Sequence, residues 1–220
     1  MTASPEAPST RSSQAKEKQA SVLKPDAALL DHIKKLIRIG IALSVEKDIN
    51  KLLEMIVDET RDLTHADAGT LYIIDRDQQC LTFQIMQNDT MEARLGGTSG
   101  KSIDLPPIPL YSETGDPNHS NVASYVALTG KTVNIPDVYE AEGFDFTGPR
   151  NYDASTGYRS KSMLVMALQN HENDIIGVLQ LLNAQDTDTG KVVAFSEEYV
   201  DLVASLASQA AVALTNTQLI

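Results

Sequence analysis

Apolar residues recur at helical spacing in two segments near the start of the chain. The first segment, after Pro25, has one apolar stripe and part of a second, and it predicts a helix. Its main stripe comprises Leu29, Ile33, Leu36 and Leu43, and the adjoining face comprises Leu30, Ile37 and Ile41. A second helix is predicted from Asp48, whose carboxylate can cap the first free amides. The buried side of this second helix is expected to comprise Ile49, Leu52, Leu53, Ile56 and Val57.

Further along the chain, short apolar runs between polar turns predict strands. These runs cover residues 68–75, 81–86, 132–135, 162–169 and 175–183, with turns at 76–79 and 170–174. A short helix is predicted over residues 122–129, because Gly130 provides a natural C-terminal cap. Glycine, proline and polar residues dominate residues 96–121 and 136–157, so both stretches are predicted to be irregular.

A long helix is predicted from about Ser196 to the last residue. Mostly small residues recur along it at spacings of three and four, and we name this set the small-residue stripe. The stripe comprises Val203, Leu206, Ala210, Ala213, Thr217 and Ile220. No glycine or proline stops the pattern, which indicates a helix that belongs to a longer one or pairs with another helix. Helices at both ends of about five or six strands predict an α+β fold.

The charge balance excludes more classes of binding partner than the length does. The 220 residues include 30 acidic and 18 basic side chains, for a formal net charge of −12. Binding to nucleic acid or to an anionic membrane surface needs clustered lysine and arginine, so neither partner is expected. The single cysteine, Cys80, cannot form an internal disulfide, which fits a reducing compartment. Since we find neither a bilayer-spanning apolar run nor a secretory signal, we expect a cytoplasmic protein.

The N-terminal segment differs in composition from the rest of the chain. Residues 1–25 contain almost no large apolar side chain and are rich in Ser, Thr, Ala, Pro, Lys and Gln. Such a segment cannot bury enough surface to offset its ordering entropy. We therefore expect a disordered tail over residues 1–25 and one folded domain over residues 26–220.

Candidate catalytic and metal-binding motifs find little support in the residues. The segment GGTSGKS at 96–102 has only three residues between its first and last glycine, where a phosphate-binding loop needs four. Pro106 and Pro107 follow soon after, where the phosphate-holding helix would have to run. Cys80 has no cluster of basic neighbours to activate it and is expected to be inert. No Ser/His/Asp or Cys/His set has a supporting motif, and no metal or cofactor site is expected.

Four phrases between residues 121 and 183 carry the strongest signal. In order they are NVASYVALTG at 121–130, NIPDVY at 134–139, TGYRSKSML at 156–164 and GVLQLLN at 177–183. Together they resemble the GAF domain family, and most of all the regulatory GAF domains of bacterial HD-GYP phosphodiesterases and cyclic-nucleotide signalling enzymes. The resemblance implies a six-stranded antiparallel sheet, with N- and C-terminal helices packed on one face and a small-molecule pocket on the other.

The same resemblance implies a sensor that is not itself an enzyme. A small molecule, with a cyclic nucleotide as one candidate, would order the loops 96–121 and 140–156. Paired terminal helices of a homodimer would then control an output domain or partner, such as an HD-GYP phosphodiesterase. The alternative is a ligand-free dimerisation or interaction module with a vestigial pocket. Some family members are methionine sulfoxide reductases, but that chemistry needs several cysteines, and Cys80 is the only one.

The resemblance also assigns residues to the pocket. The amides of Ala123 and Ser124, at the start of the short helix, would hold a phosphate, and free N–H groups together with the helix dipole do favour an anion. The purine and ribose side would be lined by Asp137, Tyr139, Asp153 and Thr156, with Gln180 on the sheet floor. In the alternative interpretation, Asp137 and Thr156 cap or brace loops, as such residues often do.

The sequence departs from the nucleotide-binding pattern at three places. Asn183 is followed by Ala184, so the lysine of the family's Asn-Lys…Phe…Asp-Glu signature is missing. The stretch between Tyr139 and Asp153 is longer than usual, and Gln180 stands where a glutamate is common. These departures leave the expected fold unchanged and the identity of the ligand open.

Overall fold

The computed structural model describes the backbone of residues 27–218 and the side chains of residues 30–217. The predicted tail and Ile220 of the small-residue stripe lie outside the described residues. The helices are α1 (Ala27–Val45), α2 (Ile49–Thr64), α3 (Val122–Thr129), α4 (Thr147–Thr156) and α5 (Glu197–Gln218). The strands are β1 (Ala66–Asp75), β2 (Cys80–Asn88), β3 (Ala93–Gly96), β4 (Ile108–Pro109), β5 (Val133–Ile135), β6 (Met163–Gln169), β7 (Ile175–Gln185) and β8 (Val192–Val193). The chain divides into a first unit ending at Lys35 and a second unit from Leu36, and the second contains the sheet and the candidate site.

All strands belong to one antiparallel sheet, which confirms the predicted fold class. Six strands follow the order β3-β2-β1-β7-β6-β5, while the two-residue strands β4 and β8 add to β2 and β7 and bring the total to eight. The long central strands β1 and β7 pair over residues 66–73 and 177–184. A bulge in the β1–β2 ladder falls between Leu71 and Tyr72. The five predicted apolar runs form β1, β2, β5, β6 and β7, and β3, which was not predicted, completes the six-stranded path that the resemblance implied.

The two faces of the sheet carry separate apolar clusters. On β7, Leu179 and Leu181 belong to the cluster covered by α2 and α5, and we name this side the helix face. The alternate residues Val178 and Leu182 belong to a second cluster with α3, on what we name the site face. Successive side chains of a strand point to opposite faces, so one apolar strand supplies both clusters. The continuous apolar run of β7 follows from burial on both sides.

Helix α2 begins where its sequence predicts. The carboxylate of Asp48 accepts hydrogen bonds from the amides of Asn50 and Lys51, which confirms it as the N-terminal cap. His65 ends the helix in the left-handed conformation. The apolar side faces the sheet, and Leu52 and Ile56 are fully buried there.

Helix α1 has two apolar stripes with different fates. Ile39 and Leu43 are buried in the helix-face cluster. Ile37, Ile41 and Val45 remain 57%, 60% and 67% exposed. The predicted main stripe is therefore only partly correct, because Leu43 is buried but Ile33 is 43% exposed, and the buried Ile39 belonged to neither predicted stripe. The adjoining face, predicted with Ile37 and Ile41, is left exposed.

The small-residue stripe of α5 lies inside the protein's own core, which corrects one interpretation of the sequence. Val203, Leu206, Ala210 and Ala213 all belong to the helix-face cluster and are at most 6% exposed. The partner helix is therefore α2 of the same chain, against which α5 packs. The interpretation that this stripe joins two copies is wrong for Val203, Leu206, Ala210 and Ala213, because these side chains are already covered.

Helix α4 lies within a stretch that was predicted to be irregular. Its sequence, TGPRNYDAST, has few apolar residues, and Asp153 is the only one of its residues that is fully buried. Pro149 is tolerated because it falls in the first turn, where a missing N–H costs nothing. The Asp145 carboxylate accepts a hydrogen bond from the amide of Thr147 at 2.9 Å and caps the helix start. Apolar periodicity gives no signal for such a helix.

The short edge strand β5 is tied to the other end of the fold. The Asn134 side-chain amide donates to the Phe195 carbonyl, just before α5, at 3.0 Å. The oxygen of the same side chain is buried and has no hydrogen-bond partner in the part of the chain that the structure describes.

Among the helices within residues 27–218, none combines the length and apolarity that crossing a membrane requires.

Candidate functional site

The first turn of α3 forms the centre of the candidate site. Asn121 caps the helix, and its side-chain oxygen accepts the amide of Ser124 at 3.1 Å. The backbone carbonyl of Asn121 accepts the amide of Tyr125. The amides of Val122 and Ala123 donate no hydrogen bond within the described part of the chain, so they are available to an anion. The predicted Ala123 amide is therefore free, whereas the predicted Ser124 amide is occupied by the cap.

Ser124 carries the least satisfied polar group of this turn. Its side chain is fully buried, and its hydroxyl has no hydrogen-bond partner among the described residues. Leaving a buried hydroxyl unpaired costs about 1–3 kcal/mol. This unpaired hydroxyl lies in the same turn as the two free amides, which favours a site that a ligand completes.

Asp153 is held entirely by groups of its own chain. It is 4% exposed, and its carboxylate accepts hydrogen bonds from the Tyr139 hydroxyl at 2.9 Å, the Ser160 amide at 2.8 Å and the Ser160 hydroxyl at 2.9 Å. These bonds fix the end of α4 against the segment that leads into β6. Tyr139 and Asp153, both predicted to contact a ligand, do lie together, but they are hydrogen-bonded to each other.

Arg159 links the remaining acidic residue to the same group. Its guanidinium lies over the Tyr139 ring, 3.4 Å from the centroid, and that of Arg150 lies 5.3 Å away. Arg159 also pairs with the Asp137 carboxylate at 3.4 Å, which in turn accepts the Tyr139 amide at 2.9 Å. We name Asp137, Tyr139, Asp153 and Arg159 the interlocked cluster. This geometry is the bracing role that the sequence left open for Asp137, and ligand contact by the cluster stays a prediction.

The last two predicted residues lie apart from each other. The Thr156 hydroxyl donates to the Tyr152 carbonyl of its own helix at 2.7 Å and accepts the Tyr158 amide at 3.3 Å, so it closes the α4 end. Gln180 lies half-buried on β7, in register with Thr70 of β1 and Val165 of β6. It shares the site face with Val178 and Leu182, as the expected sheet floor requires.

A buried network that the sequence did not predict joins β1, β7 and the segment that leads into β6. The Tyr158 hydroxyl donates to the Asp67 carboxylate at 2.7 Å and accepts the Asn183 side-chain amide at 2.9 Å. Burial, reinforced by Asp67, raises the pKa of Tyr158, so the phenol stays neutral and can donate. Asn183 ends the apolar run of β7 with a positive φ of 57°. A polar residue closing such a run, in the left-handed conformation that asparagine tolerates, is the signal that could have located this network.

Two phenylalanines from the stretch between Tyr139 and Asp153 pack beside α3. Phe146 is 4% exposed and belongs to the site-face cluster, while Phe144 is half-buried against it. The ring of Phe144 lies 5.4 Å from Tyr125 and 6.3 Å from Phe146, both edge to face. We name residues 140–146 the aromatic loop.

Two open clefts lie away from the predicted residues. One, of about 330 Å³, is lined by Arg76, Tyr111 and Asp174 among others. The other, of about 430 Å³, surrounds Arg61 and Asp89, which form an ion pair. Neither cleft includes a residue that the sequence assigned to the pocket.

Two remaining features concern the Cys80 thiol and the side chains that could bind a metal ion. Cys80 is buried, and burial raises the pKa of its thiol, which disfavours the reactive thiolate. Over residues 30–217, no group of three or more His, Cys, Asp or Glu side chains is placed to hold a metal ion.

An antiparallel sheet with long helices on one face, and a short helix with long loops on the other, defines an α+β domain. The model of the GAF domain family matches residues 48–214. The chain therefore belongs to the GAF domain family, as its resemblance implied.

The chain is also similar to part of two cyclic-nucleotide phosphodiesterases. The chain is 26% identical over 187 residues to the dual 3',5'-cyclic-AMP and -GMP phosphodiesterase 11 of Drosophila melanogaster. It is also 26% identical over 179 residues to the cGMP-specific 3',5'-cyclic phosphodiesterase of Drosophila sechellia. Each match covers 79% of this chain but only 11% and 13% of the relative. The similarity thus concerns one small part of each phosphodiesterase.

Solved structures support the fold. The GAF domain of a phosphoenolpyruvate-protein phosphotransferase from Coxiella burnetii has a TM-score of 0.63 at 14% identity, covering 86% of this chain and 96% of that one. Free methionine-R-sulfoxide reductase from Neisseria meningitidis has a TM-score of 0.60 at 16% identity, covering 89% and 94%. At such identities the likeness shows a shared fold alone.

Proposed function

We propose that this domain is the sensor of a bacterial signalling protein and binds a small anionic ligand at the start of α3. The observation that carries the proposal is the combination of two free amides, at Val122 and Ala123, with the unpaired hydroxyl of Ser124 in the same turn. An anionic oxygen there would accept hydrogen bonds from the amides and benefit from the helix dipole.

A cyclic nucleotide is the first ligand to test. Two of the relatives are cyclic-nucleotide phosphodiesterases, and a cyclic phosphate has the single negative charge that the α3 turn favours. The base and ribose would lie toward Gln180 and the interlocked cluster, where Asp137 and Tyr139 would exchange some of their mutual contacts for ligand contacts. Output would pass to an attached or partner enzyme, such as an HD-GYP phosphodiesterase, in the cytoplasm.

The test compares two buried serines. Thermal unfolding of the wild type is measured with cyclic GMP, cyclic AMP and cyclic dinucleotides, since a ligand at 100 times its Kd adds about 2.7 kcal/mol to stability. Ser124→Ala should leave the ligand-free protein as stable or more stable, because it removes an unpaired hydroxyl. It should also weaken binding of the active nucleotide about tenfold through one lost hydrogen bond to a charged group.

Ser162→Ala is the matched control for this test. Ser162 is equally buried, but its hydroxyl accepts the amide of Ala184 at 3.1 Å, so its loss should lower stability and leave nucleotide affinity unchanged. Equal affinity in Ser124→Ala and the wild type would contradict the assignment of the site. Absence of any shift across the panel would favour a module without a nucleotide ligand.

A second candidate function, a dimerisation module, is favoured by the exposed stripe of α1. Ile37, Ile41 and Val45 are each more than half exposed and recur every four residues, which is typical of a helix that packs against another. We propose that two copies pair through this stripe, in place of the small-residue stripe of α5. In a sensor, the same contact would carry the signal.

The dimer is tested by light scattering of Ile41→Lys. The variant should be monomeric at concentrations where the wild type is a dimer, because a lysine would bring an unpaired charge into the contact. Lys47→Ala, an exposed change just beyond the end of the helix, is the control and should leave the mass unchanged. A dimer that persists in Ile41→Lys would contradict pairing through α1.

A further inference from the structure

We propose that the aromatic loop is a displaceable plug, in which the Phe146 ring occupies space beside α3 that the ring system of a bound ligand would take. This inference rests on the proposed function, because it concerns access to the same site. It differs from the expectation that this loop becomes ordered only with ligand, since the loop is already packed in the structure.

The loop lies against the candidate site through its rings. Phe146 shares the buried site-face cluster with Val122 and Ala123, whose amides form the proposed anion site. A chain of edge-to-face contacts runs from His119 to Tyr125 at 5.5 Å, to Phe144 at 5.4 Å and to Phe146 at 6.3 Å. The aromatic loop therefore lies beside α3, in the same buried cluster as Val122 and Ala123 of its first turn.

The tip of the loop is only lightly held by its backbone. The amide of Asp145 donates to the Ser120 carbonyl at 2.7 Å, next to the Asn121 cap, and is the tip's one backbone hydrogen bond to a distant part of the described chain. Gly143, exposed and with a φ of 92°, precedes the phenylalanines, and nothing lies within 4 Å of where its side chain would be. A segment with few backbone bonds and a glycine at its bend opens at lower cost than the strands beneath it.

Displacement exchanges one set of contacts for an equivalent one. A ligand with an aromatic ring and an anionic group would replace the apolar contacts of Phe146, pair with the free amides and satisfy Ser124. Because the closed loop competes for the site, the apparent affinity is reduced by the fraction of molecules that are open. The loop thereby sets the ligand concentration to which the domain responds.

The test compares two phenylalanines that are almost equally buried on opposite faces. Phe146→Ala removes the plug, and Phe195→Ala removes a ring from the helix face, where Phe195 is 3% exposed. Hydrogen exchange of residues 141–147 is measured against β6 and β7 in the full chain. Binding is measured with cyclic GMP and with 8-anilinonaphthalene-1-sulfonate, an aromatic sulfonate that does not depend on nucleotide specificity.

For a plug, residues 141–147 of the wild type should exchange at least about tenfold faster than β6 and β7. In Phe146→Ala, hydrogen exchange of the loop should be about tenfold faster still, while exchange of β6 and β7 stays unchanged. This variant should also bind the sulfonate about tenfold more tightly than Phe195→Ala does. Loop and strands that exchange at one common rate, or equal sulfonate affinity in the two variants, would overturn the plug. Failure of cyclic GMP alone, with the loop and sulfonate results as expected, would overturn the nucleotide proposal and leave the plug supported.

Discussion

The two faces of the sheet differ in what fills them. The helix face is covered by α2 and α5 and packed with aliphatic side chains, with Leu52, Ile56 and Leu206 fully buried. The site face is covered by one short helix and loops, and many members of its cluster are only partly buried. Long elements with complete burial resist local opening, whereas loops over half-buried rings permit it. Stability therefore resides mainly on the helix face, and the capacity to change resides on the site face.

The largest effect is expected on the helix face. Leu206→Asp would place an unpaired charge among fully buried side chains and should lower the free energy of unfolding by more than about 4 kcal/mol. Ala204→Asp, on the exposed side of the same helix, should change it by no more than about 0.5 kcal/mol. Urea unfolding followed by circular dichroism measures both. Similar losses in the two variants would contradict the assignment of the stripe to the core.

A smaller loss of stability is expected from a change in the buried network of Tyr158, Asp67 and Asn183. Tyr158→Phe removes the hydroxyl that donates to Asp67 and should cost about 1–3 kcal/mol, since a buried carboxylate loses a donor. Tyr199→Phe is the control, because Tyr199 has a ring contact with His65 but no hydrogen bond through its hydroxyl within the described residues. Urea midpoints compare the two. A Tyr158→Phe protein as stable as the control would refute the network.

The smallest effect is local and depends on pH. Hydrogen bonds from Thr147, from the side chain first and then the backbone, lower the pKa of Asp145 below its ordinary value of 3.8. A carboxylate with a lowered folded pKa stabilises the fold above its unfolded pKa, and that contribution is lost as pH falls through the lowered value. After correction for the intrinsic exchange rate at each pH, the amides at the start of α4 should therefore lose protection below about pH 4. In Asp145→Asn this loss of protection should disappear, and its persistence would assign the acid response to another group.

Apolar periodicity was enough to predict most of the fold. The long strands appear as apolar runs, α2 shows helical spacing, and α3 agrees with its prediction at both ends, 122 and 129. Helix α4 was not predicted, because its defining residues are Asp145, Pro149 and Asp153, and none of them contributes to an apolar pattern. The stripes of α1 and α5 show a further limit. Periodicity reports that a face is apolar, but whether the chain itself covers that face is decided by tertiary packing.

The candidate site was predictable in position but less so in its contacts. Asp137, Tyr139 and Asp153 were expected near one another, and they are, yet their partners include Arg159, which no spacing rule singles out. The unpaired state of Ser124 depends on burial by residues far away in the sequence. Contacts between distant segments follow from the register of strands and the paths of loops, which local patterns do not contain.

The bond between Asn134 and Phe195 makes the edge strand and the root of α5 one mechanical part. Asn134 is followed within a few residues by Asp137 of the interlocked cluster, and Phe195 directly precedes the segment that starts α5. One side-chain amide therefore joins the segment that carries the cluster to the segment before α5. Any movement that separates the two segments has to break this hydrogen bond.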